Sequence, residues 1–348
     1  MKRNLTVLIL FFFTFLSFLS CRRSIPTLQG DWKQQASFIG QPRVYPVCFV
    51  IGNYAYVGTG YSPGTQTYWN DFYKYDIVND KWSQIASLPA LGRQEAVAFA
   101  SGGKGYVGTG YNGTLIKYFK DFYQYDPATN KWTRMPDLPG PLRKGATSFV
   151  INDTAYVGTG LSVDTANRQI PTQRFARWNN TLANWDTTVA PYSGPQIYGA
   201  FSFTLTDNNR VQGFVAGGFS GSLTTNRMYE YNPTNNKWTK KANIDSNISQ
   251  LKRGDAVAFT FNNTAWVATG AASAGGSQAD AYQYNLQQDT WIQVNSFEGG
   301  GRSGAIGFSI PSASTNNGYQ GYLGLGGVSS GGFDFWSFNP YVPQILNN

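Results

Sequence analysis

The sequence predicts an all-β chain that closes as a ring of repeated four-stranded sheets, a β-propeller. Three observations carry that prediction. Trp32, Trp82, Trp132, Trp185, Trp238 and Trp291 are spaced by 50, 50, 53, 53 and 53 residues, and a period near 50 marks a radial array of small sheets. Each of the last five follows by six residues an Asp or Asn that closes an aromatic stretch: Asp76, Asp126, Asn179, Asn232 and Asn285. Aromatic residues reach 16% while charged residues fall to 13%, and 39 of 348 residues are glycine; that is the profile of turns and apolar strands rather than of helices.

Taken in order, the chain begins with Lys2 and Arg3, then a nearly unbroken apolar run from Leu5 to Leu19, then Ser20 before Cys21. This is the pattern of an export signal over residues 1–20, and a run of about 15 apolar residues is shorter than the ~20 a spanning helix needs. Ser17-Phe18-Leu19-Ser20-Cys21 resembles a bacterial lipobox, which would make Cys21 the lipidated first residue of the mature chain, with residues 21–26 as its tether. Acyl chains contribute ~0.8 kcal/mol per buried methylene, and more than one of them anchors stably. Arg22-Arg23 supplies neither an inner-membrane retention Asp nor an acidic surface-export run, which points to the outer membrane, facing the periplasm. The only other cysteine, Cys48, lies in the apolar stretch Val47 to Ile51 and reads as a small core residue without a disulfide partner.

Within the repeat, the second unit shows the strands most plainly. Gly92 to Ala100 reads as a first strand, Gly105 to Tyr111 as a second, Asp121 to Asp126 as a third and Lys131 to Met135 as a fourth. Ser101-Gly102-Gly103, Asp126-Pro127-Ala128-Thr129-Asn130 and Leu138-Pro139-Gly140-Pro141 supply the turns. Strand ends rich in glycine recur at Gly58-Thr59-Gly60, Gly108-Thr109-Gly110, Gly158-Thr159-Gly160, Gly217-Gly218, Ala268-Thr269-Gly270 and Gly326-Gly327. The sixth unit reaches its third strand at Phe333 to Pro340 and then lacks a fourth, whereas Gly30-Asp31-Trp32-Lys33 stands alone at the other end. Unpaired edges are aggregation templates, so the N-terminal strand is expected to complete the last blade. The expected domain is a single propeller over residues 27–348, with blades near 43–86, 93–135, 143–189, 197–241, 253–294 and 302–338 plus 31–36.

The glycine doublets, the downstream aromatics and the recurring tryptophan make the chain resemble a six-bladed kelch-repeat β-propeller over nearly all of residues 27–343. More distantly it is similar to eukaryotic Kelch adaptor domains and to the bacterial sialate mutarotase. The adaptor resemblance implies that an arginine at the first-strand start lines a pocket for acidic peptides. The mutarotase is a periplasmic kelch propeller that acts on an acidic sugar, and the resemblance to it is one of fold and address only. Galactose oxidase, a further kelch protein, uses histidine ligands to copper, and this chain has no histidine.

Aligning first-strand starts gives Arg43, Arg93, Arg143, Ile197, Arg253 and Arg302, each followed three residues later by a small residue: Pro46, Ala96, Ala146, Ala200, Ala256 and Ala305. The arginines are expected at the rim of the central channel, beside Tyr61, Trp69 and Tyr111 from the loops between second and third strands. Planar guanidinium forks suit carboxylates and phosphates. Asp71, Asp121, Asp280 and Asp334 open the third strands of four units and could pair with those arginines as scaffold salt bridges. In units three and four that position is Arg174 and Arg227, so an anion-binding patch is expected around Arg143, Arg174 and Arg227.

The absence of histidine removes imidazole bases, Ser-His-Asp nucleophiles and His-ligated metals; no cofactor or metal is expected. Glu95 and Asp255, each two residues after an aligned arginine, are the acid/base candidates if the chain is an enzyme. The formal charge of +8 is spread thinly, which argues against nucleic acid, and a monomer is expected. The sequence favours a membrane-tethered, non-catalytic propeller that binds an acidic glycan or peptide at its mouth. An acidic-sugar epimerase or mutarotase is the alternative, and a protein-interaction scaffold the second.

Overall fold

The computed structural model describes residues 29–164, 168–241, 251–273, 275–310, 321–327 and 332–343. The export signal 1–20, the tether 21–26 and Cys21 lie outside the described residues. Six four-stranded antiparallel sheets form among those described. The first holds Val47–Ile51, Tyr54–Gly58, Phe72–Asp76 and Lys81–Ile85, and the second Val97–Ser101, Lys104–Gly108, Phe122–Asp126 and Lys131–Met135. The next three repeat this order from Thr147–Ile151, Phe201–Asp207 and Val257–Phe261. In the sixth, Ile306–Ser309, Gly321–Gly324 and Phe335–Pro343 take Gln29–Gln34 as outer strand, with Trp32 opposite Phe338. The chain's beginning thus completes its last sheet, and the first strands of the six sheets pack against one another in a closed cycle.

Sandwiching each sheet between two others explains its strand patterns. Middle strands are covered on both faces and read as continuous apolar runs, such as Ala55-Tyr56-Val57 and Phe214-Val215-Ala216, all buried. Outer strands bury little besides their tryptophan, as in Lys81–Ile85. Each of the six seams has its own core cluster. The tryptophans tie the seams at the rim: Nε1 of Trp82, Trp132, Trp185 and Trp238 donates to the carbonyls of Ala36, Ala86, Pro136 and Ala190 on the preceding unit.

The Gly-Thr-Gly ends do the corresponding work near the axis. Thr59, Thr109, Thr159 and Thr269 are left-handed, with φ from 56° to 63°, so the chain leaves the sheet just after its second strand. The following backbone N–H then donates to the next unit: Gly60 to Arg93, Gly110 to Arg143, Gly160 to Ile197, Gly218 to Arg253, Gly270 to Arg302, and Gly326 back to Arg43, at 2.7–3.1 Å. These six bonds run once around the ring and return to the start. The first glycine of the motif is required by contact, since the Phe72, Phe122 and Phe175 rings lie where a Cβ on Gly58, Gly108 or Gly158 would stand.

Candidate functional site

The arginines do not occupy the channel rim. Arg43, Arg93, Arg143, Arg253 and Arg302 are 0–1% exposed, folded into the wall of the ring. Each sends Nη1 to the carbonyl of the left-handed residue just after its own second strand: Thr59, Thr109, Thr159, Thr269 and Leu325, at 2.8–3.2 Å. Four also hold the third-strand aspartate, as Arg43–Asp71 at 2.5 Å, Arg93–Asp121 at 2.5 Å, Arg253–Asp280 at 2.8 Å and Arg302–Asp334 at 2.7 Å. The Arg302 guanidinium holds the Asp334 carboxyl below its ordinary range against the opposing effect of burial. Aromatic rings cover these groups: Arg93 lies 4.1 Å from the Phe119 centroid, and Trp69 lies over Arg43 at 5.3 Å. The expectation of a ligand-accessible arginine rim is corrected to a set of internal staples.

The physical reason is a turn. The first strand of the second sheet starts at Val97, not Gly92, because Glu95 adopts φ of 52°. The position two after each aligned arginine is left-handed in all six units: Tyr45, Glu95, Gly145, Gly199, Asp255 and Gly304, with φ between 52° and 60°. That turn breaks strand alternation, so arginine points into the wall while the residue two later faces the axis. Around the axis the N–H groups donate to the preceding carbonyls from Tyr45 to Gly304, Gly145 to Glu95, Gly199 to Gly145, Asp255 to Gly199 and Gly304 to Asp255, at 2.7–3.2 Å. The cavity they enclose is about 170 Å³ and is lined by these six residues and by Pro46, Ala96, Ala146, Ala200, Ala256 and Ala305. The small residues three after the aligned arginines therefore line the channel.

Three of the six carry side chains, in a backbone region that disfavours them, and all three are polar. Tyr45 Oη donates to Asp255 Oδ2 at 3.1 Å. Burial, and then the nearby Glu95 carboxylate, push Asp255 up to about 7 although Tyr45 and Lys144 oppose the shift. Burial and Asp255 push the Tyr45 hydroxyl well above its ordinary value. Glu95 Oε1 receives Lys144 Nζ at 2.9 Å and Gln94 Nε2 at 3.1 Å. Burial opposes the Lys144 charge, but Glu95 overcomes it and raises that pKa. Gly199 leaves the space that Asp255 Oδ1 occupies.

Aromatic pairs stand beside this polar floor. Tyr61–Tyr68, Tyr111–Tyr118 and Tyr198–Phe219 have ring centroids 4.6, 4.6 and 5.3 Å apart, and Lys144 Nζ lies 5.3 Å from the Tyr111 ring. Tyr61 and Tyr111 sit in short ribbons, Tyr61–Ser62 with Thr67–Tyr68 and Tyr111–Asn112 with Lys117–Tyr118, so the second strand of the second unit ends at Gly108 rather than Tyr111. After burial, the charges of Asp255 and Glu95 contribute to a raised Tyr198 pKa, which places that ring near both carboxylates. Cys48 lines the channel deeper in, where burial pushes its thiol up. Among the described residues no group of His, Cys, Asp and Glu could hold a metal ion.

Unit three departs from its neighbours. Arg143 has no carboxylate among the described residues, and burial and the exposed Arg174 lower its pKa to about 10. Arg227 is half-buried beside the wholly buried Ile197 unit and does not line the pocket that holds Arg143 and Arg174. The expected three-arginine patch is therefore a pair. Tyr45 and Lys144 were not among the sequence candidates; the three glycines at the repeat position of Tyr45 were the available signal for a left-handed ring.

Residues 19–160 match the KLHDC2/KLHL20/DRC7 Kelch-repeats domain family, and residues 214–243 match the Kelch motif. A solved structure described as "Structure of YjhT" superposes with a TM-score of 0.70 at 17% identity, covering 90% of this chain and 98% of that one. Comparison with curated proteins returns no match. Together with the sheet topology, these show a β-propeller fold whose matched segments carry kelch repeats.

Proposed function

We propose that the axial mouth binds a reducing sugar and interconverts its anomers by general acid–base catalysis. The observation that carries this reading is the Asp255–Tyr45 pair sharing one small cavity with Glu95, which Lys144 holds by an ion pair. A carboxyl poised near neutrality both donates and accepts a proton at physiological pH. One group gives a proton to the ring oxygen while a base takes the proton of the anomeric hydroxyl. The C1–O5 bond breaks, C1 becomes a carbonyl, and closure on its other face returns both protons. Aromatic pairs supply the apolar faces on which sugar rings stack. With the arginines enclosed, a mouth that carries two carboxylates and one paired lysine favours a neutral sugar over an acidic one.

The test is proton NMR of anomer equilibration with the soluble domain, using neutral hexoses and an acidic sugar. Acceleration is expected in wild type and should fall by about 10²-fold or more in Asp255→Asn and in Glu95→Gln. No acceleration with any sugar, in a protein that unfolds cooperatively, overturns the reading; bound sugar without acceleration would return it to the non-catalytic class. We also propose that the domain is exported and held at a membrane through lipid on Cys21. Labelled palmitate should enter wild type and not Cys21→Ala.

A further inference from the structure

The repeat contains its own control experiment on arginine pairing. In four sheets a buried guanidinium is gripped by an aspartate from the third-strand start, in three of them with both oxygens hydrogen-bonded, as in Arg93 Nη1 to Asp121 Oδ1 at 2.5 Å and Nη2 to Oδ2 at 2.9 Å. Arg302 and Asp334 repeat this at 2.8 and 2.7 Å. In the third sheet the aspartate is replaced by Arg174. Arg143 is 1% exposed and is left with four backbone carbonyls at 3.2–3.5 Å, those of Pro141, Thr159, Arg174 and Pro139. Among the described residues neither it nor the Arg174 side chain has an ion pair, and Arg143 lies over no ring.

Where the missing carboxylate would lie there is space. Arg143 and Arg174 line a pocket of about 490 Å³ whose other walls are mainly apolar, among them Leu138, Val157, Phe175 and Val189. It shares no lining residue with the axial mouth. A buried guanidinium without a counter-charge is costly, and a second guanidinium beside it raises that cost. We propose that this side pocket binds the carboxylate of a small organic acid, which takes the place that Asp121 and its counterparts hold elsewhere and rests its apolar body on the walls. The carboxylate is favoured over phosphate because the Arg143 fork is presented as it is to the planar, two-oxygen group in the sister sheets.

The pocket is tested by thermal unfolding and by calorimetric titration of the soluble domain with hexanoate, benzoate, hexanamide and inorganic phosphate. Hexanoate or benzoate should bind saturably and raise Tm, while the amide and phosphate bind at least tenfold more weakly. Arg174→Asp restores the internal partner; its Tm without ligand should exceed that of wild type, and its carboxylate binding should drop at least tenfold. Asp255→Asn, in the separate mouth, should bind as wild type does, so failure here and failure of the sugar chemistry are distinguishable. No saturable carboxylate binding by wild type, equal binding of phosphate, or unchanged binding by Arg174→Asp overturns the proposal.

Discussion

Removing the aspartate from one staple should harm the fold far more than removing a surface ion pair of the same composition. In Asp121→Ala the Arg93 guanidinium, 0% exposed, loses both oxygens that it holds. It keeps Nη1 to the Thr109 carbonyl and Nε to the Leu91 carbonyl, each at 3.1 Å. Breaking a buried pair from one side costs about 3–5 kcal/mol. Because the Asp121 side chain is 20% exposed and water can partly replace it, the lower end applies, about 3 kcal/mol. Unfolding entropy of about 2.1 cal/mol/K per residue over roughly 320 residues makes this a fall in Tm of roughly 4–5 °C. Asp137→Ala breaks the Arg134–Asp137 pair, whose side chains are 46% and 38% exposed, and should cost less than about 1 kcal/mol. Arg93→Met with Asp121→Leu removes the charge together with its partner and should recover part of the loss. Differential scanning calorimetry on the four proteins decides; equal Tm values for Asp121→Ala and Asp137→Ala would refute the staple argument.

Three further outcomes are expected. Asp255 has a pKa near 7 in the fold and near 4 when unfolded, so the native state binds its proton more tightly; wild type loses stability as pH rises from about 4 to about 7 and carries the deficit above that. Asp255→Asn should therefore be more stable than wild type at pH 8, with the advantage fading toward pH 4, and a difference that stays constant in Tm scans across pH would contradict the assignment. Gly199→Ala places a methyl against Asp255 Oδ1 at a φ of 60° and should reduce anomer interconversion more than it lowers Tm, whereas Gly221→Ala, with open space at a similar φ of 62°, should change Tm alone. Deleting residues 29–36 bares the edge of Phe335–Pro343 and should convert the protein to oligomers in light scattering; a monomer of wild-type Tm would mean that this strand does not close the ring.

What could be read in advance follows from what each feature depends on. The tryptophan period, the Gly-Thr-Gly ends and the missing fourth strand of the last unit are local and repeated, so six sheets and closure by an N-terminal strand are legible in the sequence, although that strand runs over Gln29–Gln34 rather than 31–36. The scaffold pairing of Arg43, Arg93, Arg253 and Arg302 was legible too, because the aspartates recur at one repeat position. The direction of those arginines was not. A strand assumed continuous from Gly92 places Arg93 and Glu95 on one face, yet the left-handed residue at Glu95 redirects the backbone between them. The same turn that takes arginine away from the axis delivers Glu95, Asp255 and Tyr45 to it, so one error of parity exchanged a basic mouth for an acidic one. Strand periodicity alone carries no sign of it; the glycines at 145, 199 and 304, aligned with those three side chains, are where the sequence records that this position must be left-handed. Polar side chains persist there at half of the positions despite the strain, and all three converge on the axial cavity, which is why the mouth rather than the arginine staples is the place to look for chemistry.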